Sequence, residues 1–164
     1  MNDPNMKLSD SETGCCQDFD PKPWDDKVKV MKDKLFVKDH VRCFFRIPIN
    51  FGKVMKRTMG DIYKAGALAQ EPLMLYECKG LFGGDVFIHV AKVVPGEEMV
   101  RMSGTFLTKV FEGPYKDTGK WVREMKYYVK SQGKEMKDLY FFYTMCPKCA
   151  KHYGHNYTVL LARI

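Results

Sequence analysis

The sequence predicts an α+β fold made of tandem duplicated strand-helix-strand-strand units with pseudo-twofold symmetry, their antiparallel sheets carrying helices packed on one face. Three observations predict it. Two stretches with helical spacing of apolar residues are each preceded by one β-rich segment and followed by two. Short segments align between the halves: His89-Val-Ala-Lys-Val93 lies over Leu160-Leu-Ala-Arg-Ile164 at an offset of 71, and Ile49-Asn-Phe51 over Gly113-Pro-Tyr115 at an offset of 64. Pro95-Gly96-Glu97-Glu98 forms the joint between them. The expected layout is a tail and arm over residues 1–34 and a duplicated domain over 35–164, with repeats of about 35–95 and 96–164.

Residues 1–14 are mostly polar, with two methionines and a leucine as their apolar content, and read as a tail, and two prolines in the following Cys15–Trp24 stretch exclude a helix there. The aromatics of that stretch suit an arm laid on the body. Leu35–Pro48 reads as a strand closed by proline. Asn50 then caps a helix in which Phe51, Val54, Met55, Thr58, Met59, Ile62 and Tyr63 share one face, fading near Gly66. Leu73–Glu77 and Asp85–Val94 follow as strands around a Gly83-Gly84 turn.

The second unit runs in the same order. Met99–Gly113 is strand-like, and Asp117 caps a helix with Thr118, Trp121, Val122, Met125, Tyr128 and Val129 on one face, ended by Gly133. Leu139–Thr144 and Asn156–Ile164 are its closing strands.

A chain of 164 residues with 45% hydrophobic residues buries a single substantial core. Its apolar runs fall short of the roughly 18 residues of a membrane helix, and Met-Asn-Asp-Pro opens without an apolar leader, so a cytoplasmic protein with no membrane partner is expected. The formal charge is +7, and the first thirty residues hold seven acids against four lysines. The basic residues are scattered singly, however, without the aromatic signature of RNA binding, so nucleic acid is not the expected partner. The sequence carries no indication of a homo-oligomeric state.

The second unit resembles the GyrI-like small-molecule-binding family. The resemblance rests on Val110, Gly113, Pro114, Tyr115 and Trp121 in a strand-Gly-Pro-Tyr-helix-aromatic pattern, on Gly133 after the helix, and on Phe142-Tyr143 in the next strand. It implies a stand-alone protein that binds aromatic or amphipathic drug-like compounds, cations among them, in a cleft between the repeats. Tyr76, Phe87, His89, Phe106, Phe141 and Trp121 are the candidate lining residues. Many family members place Glu where this chain has Phe141, so the carboxylate must come from Glu77 or Glu112.

A branch of the family resembles hydrolases that open strained electrophiles, such as cyclopropane-containing DNA alkylators. That alternative gives Glu77 and Glu112 the carboxylate roles and Tyr115 or Tyr143 the proton-donor role. Strand alternation puts Phe106, Thr108, Val110 and Glu112 on one face, and Phe87, His89 and Ala91 on another.

Cys146-Pro-Lys-Cys149-Ala-Lys-His152-Tyr-Gly-His155 gathers four possible zinc ligands in ten residues, on a hairpin between the last two strands. A thiol-redox pair is the alternative reading of Cys146 and Cys149. No cofactor is the default expectation and zinc is the exception. Haem is not expected, because Ala150 stands where an attachment motif needs His, although His89, His152 and His155 are potential axial ligands.

Overall fold

Two long strands, the first of which starts well before the expected Leu35, dominate the computed structural model, which describes residue 16 and residues 18–45 and 47–164. They are β1 (Lys27–Phe44) and β5 (Glu98–Glu112). The other elements in chain order are β2 (Ile47–Pro48), α1 (Phe51–Lys64), β3 (Met74–Cys78), β4 (Gly83–His89), a 3-10 turn at Tyr115–Asp117, α2 (Thr118–Ser131), β6 (Asp138–Tyr143), α3 (Pro147–Tyr153) and β7 (Tyr157–Arg163). The expected tail, residues 1–14, lies outside the described residues.

The strands hydrogen-bond in the order β2-β1-β4-β3-β6-β7-β5, and β5 pairs again with β1. The ladder therefore closes as a six-strand antiparallel β-barrel, which corrects the expected α+β arrangement of sheets with helices on one face. The physical reason lies in the two long strands. At 18 and 15 residues each can serve two neighbours, provided it bends. Asp33 at φ 53° in β1 and Gly104 at φ 148° in β5 interrupt the pleat where such a bend is needed. The Asp33 N–H is diverted to Ser103 Oγ at 2.8 Å. Neither break has an unambiguous signature in the sequence.

The chain divides into two compact units, one of Met31–Ser103 and one of Gly104–Ile164 with the N-terminal stretch to Val30. In the first, β4 lies between β1 and β3. The apolar stripe of α1 closes one face of this sheet, where Ile62 joins Val37, Ala67, Ile88, Val90 and Val94 in a buried cluster. Thr58 is also buried on this helix, and its Oγ1 lies 2.8 Å from Asp39 Oδ2 and 2.9 Å from the Val54 carbonyl. The Arg57 guanidinium donates to the same Asp39 oxygen. Asn50 does not cap α1 as expected, because its Oδ1 accepts the Arg42 N–H at 2.8 Å.

In the second unit β7 lies between β5 and β6. Trp121, Met125 and Val129 form the buried stripe of α2, with Trp121 stacked on Phe111 at 5.9 Å between ring centroids. Asp117 makes no side-chain cap either, and Thr118 Oγ1 donates to the Tyr115 carbonyl. The arm is anchored here, as the two prolines and the aromatics of Cys15–Trp24 imply. Phe19 packs on Phe142 and Tyr157, and Trp24 on Phe142. Asp25 Oδ1 accepts the Val110 N–H at 3.0 Å, and Asp26 pairs with Lys109 at 2.9 Å. The segment read as a Cys-His hairpin instead contains the short helix α3, ended by Gly154 in the left-handed region at φ 77°.

Two expectations follow. Ile62→Ala removes a fully buried side chain from the α1 cluster and should cost about 2–5 kcal/mol in urea unfolding. A loss below about 1 kcal/mol would contradict the packing described. The second concerns pH. Burial opposes ionisation of Asp39, but hydrogen bonds from Arg57, Thr58 and the His40 N–H outweigh it and hold the carboxyl below its ordinary range. A group depressed in this way gives stability that is fully present above its unfolded value and lost as pH falls through its folded one. Asp39→Asn should therefore be less stable than wild type at neutral pH, and the two stabilities should converge under acid.

Candidate active site

β1, β4 and β3 set a polar row across one face of the first unit. His40 lies opposite Asp85, and Asp85 opposite Glu77, so the three side chains are neighbours on the face opposite α1. Asp85 is largely buried, and each of its oxygens has a partner: Oδ1 lies 3.1 Å from His40 Nδ1 and Oδ2 3.6 Å from Lys38 Nζ. A buried carboxylate persists only with such compensation. Glu77 pairs with Lys79 at 2.9 Å, and its own side chain is 13% exposed. Lys38 also approaches Glu98 at 3.8 Å.

The His40 side chain is 59% exposed, and the backbone of Gly83 lies under its ring. A Cβ at Gly83 would sit 2.7 Å from His40 Cε1, so only glycine lets the imidazole lie where Asp85 holds it. With Asp85 ionised, its oxygen accepts the Nδ1 proton and Nε2 is left with a lone pair. That arrangement can take a proton from water. Gly83 and Gly84, expected as a turn, are the first residues of β4, and the turn lies before them with Gly80 at φ 82°.

A second cluster lies in the other unit. Tyr115 donates to the Met145 carbonyl at 3.3 Å and meets Tyr143 edge-on at 5.5 Å, and Tyr143 stacks on Phe141 at 6.0 Å. Burial pushes the Tyr115 phenol above its ordinary value, and the nearby Cys146 and Cys16 thiols add to this against a hydrogen bond with Asn156. The phenol is thus kept protonated. Asn156 donates to the Gly113 carbonyl at 2.8 Å, while its buried Oδ1 has no partner among the described residues.

The sequence-derived candidates divide between these clusters. Tyr115 and Tyr143 touch. Glu112 is exposed at the end of β5 opposite Tyr157, on the sheet face opposite to that of Tyr143. Glu77 belongs to the other unit. Among the expected lining residues, Phe87 and His89 share the Glu77 face, whereas Tyr76 lies on the α1 face with its hydroxyl 3.3 Å from Cys43 Sγ. His89 Nδ1 is engaged with the Glu71 carbonyl at 3.1 Å. Phe106 and Phe141 are buried on opposite faces of the β5-β7-β6 sheet, and Trp121 is buried under Phe111. His155 pairs with Asp18 at 2.6 Å and His152 packs edge-on against Tyr153, while Cys146 and Cys149 lie beside Cys16.

Sequence reasoning missed His40, Asp85 and Cys16. The alternation Lys38-x-His40-x-Arg42 was a readable signal for one polar face of β1. Its pairing with Asp85 depends on register, and that of Cys16 with Cys146 on folding across 130 residues.

A family model described as Bacterial hydrolase matches residues 6–164. The chain belongs to that family. No curated protein matches it. Among solved structures, a hydrolase encoded by lin2189 from Listeria innocua aligns with a TM-score of 0.57 at 12% identity, over 85% of this chain and 92% of that one. At that identity the likeness is one of fold. No helix among the described residues is long and apolar enough to cross a membrane.

The close approach at Gly83 is testable. Gly83→Ala should push the imidazole off Asp85 and destabilise the unit by about 1–3 kcal/mol through overpacking. The displacement would be read as altered His40 ring shifts in 1H–15N NMR spectra, and unchanged shifts would contradict the contact.

Proposed function

We propose that this protein is a hydrolase that adds water to a small, strained organic electrophile, of the class of cyclopropane-bearing DNA alkylators, at the Glu77–Asp85–His40 row. The observation that carries the reading is the His40 imidazole held through Nδ1 by a largely buried Asp85. Membership of the Bacterial hydrolase family supports the reaction type. The GyrI-like resemblance supports a small organic substrate over a polymer.

In this scheme Asp85 fixes the tautomer, and His40 Nε2 removes a proton from water as its oxygen bonds to a ring carbon. The strained carbon–carbon bond breaks, and its electron pair passes through the conjugated system to the carbonyl oxygen. That oxygen is protonated as the imidazolium returns its proton through solvent. Glu77, beside Asp85, orients the attacking water, and the Lys38 ammonium offsets negative charge as it develops.

The test is turnover of a cyclopropane-bearing alkylator in 18O-labelled water, followed by mass spectrometry of the ring-opened product. Wild type should incorporate one labelled oxygen, and His40→Ala and Asp85→Asn should each lower kcat by about 100-fold or more. Binding of the alkylator without consumption would favour passive drug binding instead. Full turnover by His40→Ala would remove the assigned base.

A further inference from the structure

Three sulfurs meet where the N-terminal arm crosses the start of α3. Cys146 Sγ and Cys149 Sγ are 3.4 Å apart, and Cys16 joins them from 130 residues away, all three sulfurs lying within 4.8 Å of one another. The arm is held in this position by its own contacts. The Cys146 N–H donates to Cys16 Sγ at 3.5 Å, and the Tyr153 hydroxyl donates to the Cys16 carbonyl at 2.8 Å. Cys149 is fully buried, and Cys146 and Cys16 are half-buried.

We propose that Cys16, Cys146 and Cys149 bind one thiophilic divalent metal ion, zinc in the first instance, with water in the fourth position. Thiolates on a tetrahedral zinc, each bonded at about 2.3 Å, stand about 3.8 Å from one another, a spacing compatible with the 3.4 Å between Cys146 and Cys149 and with all three sulfurs lying within 4.8 Å. An all-sulfur donor set selects zinc over the hard cations magnesium and calcium. The N–H directed at Cys16 Sγ is a contact that stabilises a ligating thiolate. On binding, each thiol gives up its proton to solvent and no electron moves.

The ligand set differs from the Cys146, Cys149, His152 and His155 quartet that sequence spacing favours. His155 is taken by Asp18, and among the described residues the third nearby donor is the arm thiol. This third sulfur also separates the site from a simple Cys-Pro-x-Cys redox pair, which needs only two. The metal would staple the arm to the β6–β7 connection, and it is independent of the hydrolase reading.

The experiment uses the full chain, stripped with a chelator under reducing conditions, loaded with zinc and passed through gel filtration before metal analysis. Wild type should retain one zinc per chain, and cobalt substitution should give a thiolate-to-cobalt charge-transfer band. Cys16→Ser should lower zinc affinity by about 10-fold or more and shrink the zinc-dependent rise in Tm accordingly. Cys78→Ser, which alters an exposed thiol in the other unit, should retain zinc like wild type. Because Cys149 is buried, its substitution can unfold the protein, and the arm variant is therefore the deciding one. Failure of wild type to retain zinc, or equal retention by Cys16→Ser, would overturn the proposal.

Discussion

The antiparallel register of β1 on β4 is the constraint on which the first unit depends. With Phe36 opposite His89 and Arg42 opposite Gly83, the odd-numbered residues Val37, Asp39 and Val41 face α1 and the even-numbered Lys38 and His40 face away. A slip of β1 by one residue would put Lys38 and His40 against the apolar stripe of α1 and expose Val37 and Val41, both fully buried. The apolar cluster around Ile62 thus specifies the polar row indirectly. Hydrophobic burial on one side of the sheet sets which charged groups meet on the other.

The polar row needs its own compensation. A carboxylate as buried as Asp85 would be costly alone, and the imidazole and ammonium on its two oxygens offset that cost. The same Asp85 oxygen holds the His40 ring through Nδ1. Stability and the proposed chemistry rest here on one contact. Asp39, the adjacent acid on the same strand, faces α1 and is held by Arg57 and Thr58. Neighbours in sequence therefore have separate tasks, divided by the two-residue period of the strand.

The elements were largely legible in the sequence, and their assembly was not. Both long helices have the apolar spacing that residues such as Val54, Ile62, Trp121 and Met125 announce, and those residues are buried. Closure of the ladder was hidden, because it depends on bends at Asp33 and Gly104 and a lone Asp or Gly in a strand has many readings. Glu77 was singled out because Phe141 stands where the resembled family places an acid, whereas His40 and Asp85 are ordinary polar residues until register joins them. The cysteines divide in the same way. The Cys146/Cys149 pair is a local motif, and Cys16 becomes its neighbour only through the fold of the arm.

The arm has a consequence for how the chain can be handled. Phe19 and Trp24 cover Phe142 and Tyr157, and Asp18, Asp25 and Asp26 are each tied to the second unit by a polar contact. Residues 18–26 are thus tied to the second unit through a shared aromatic stack and polar contacts. Cutting the gene at the first recognisable strand would leave a bare aromatic patch facing solvent, and a surface of that kind invites self-association.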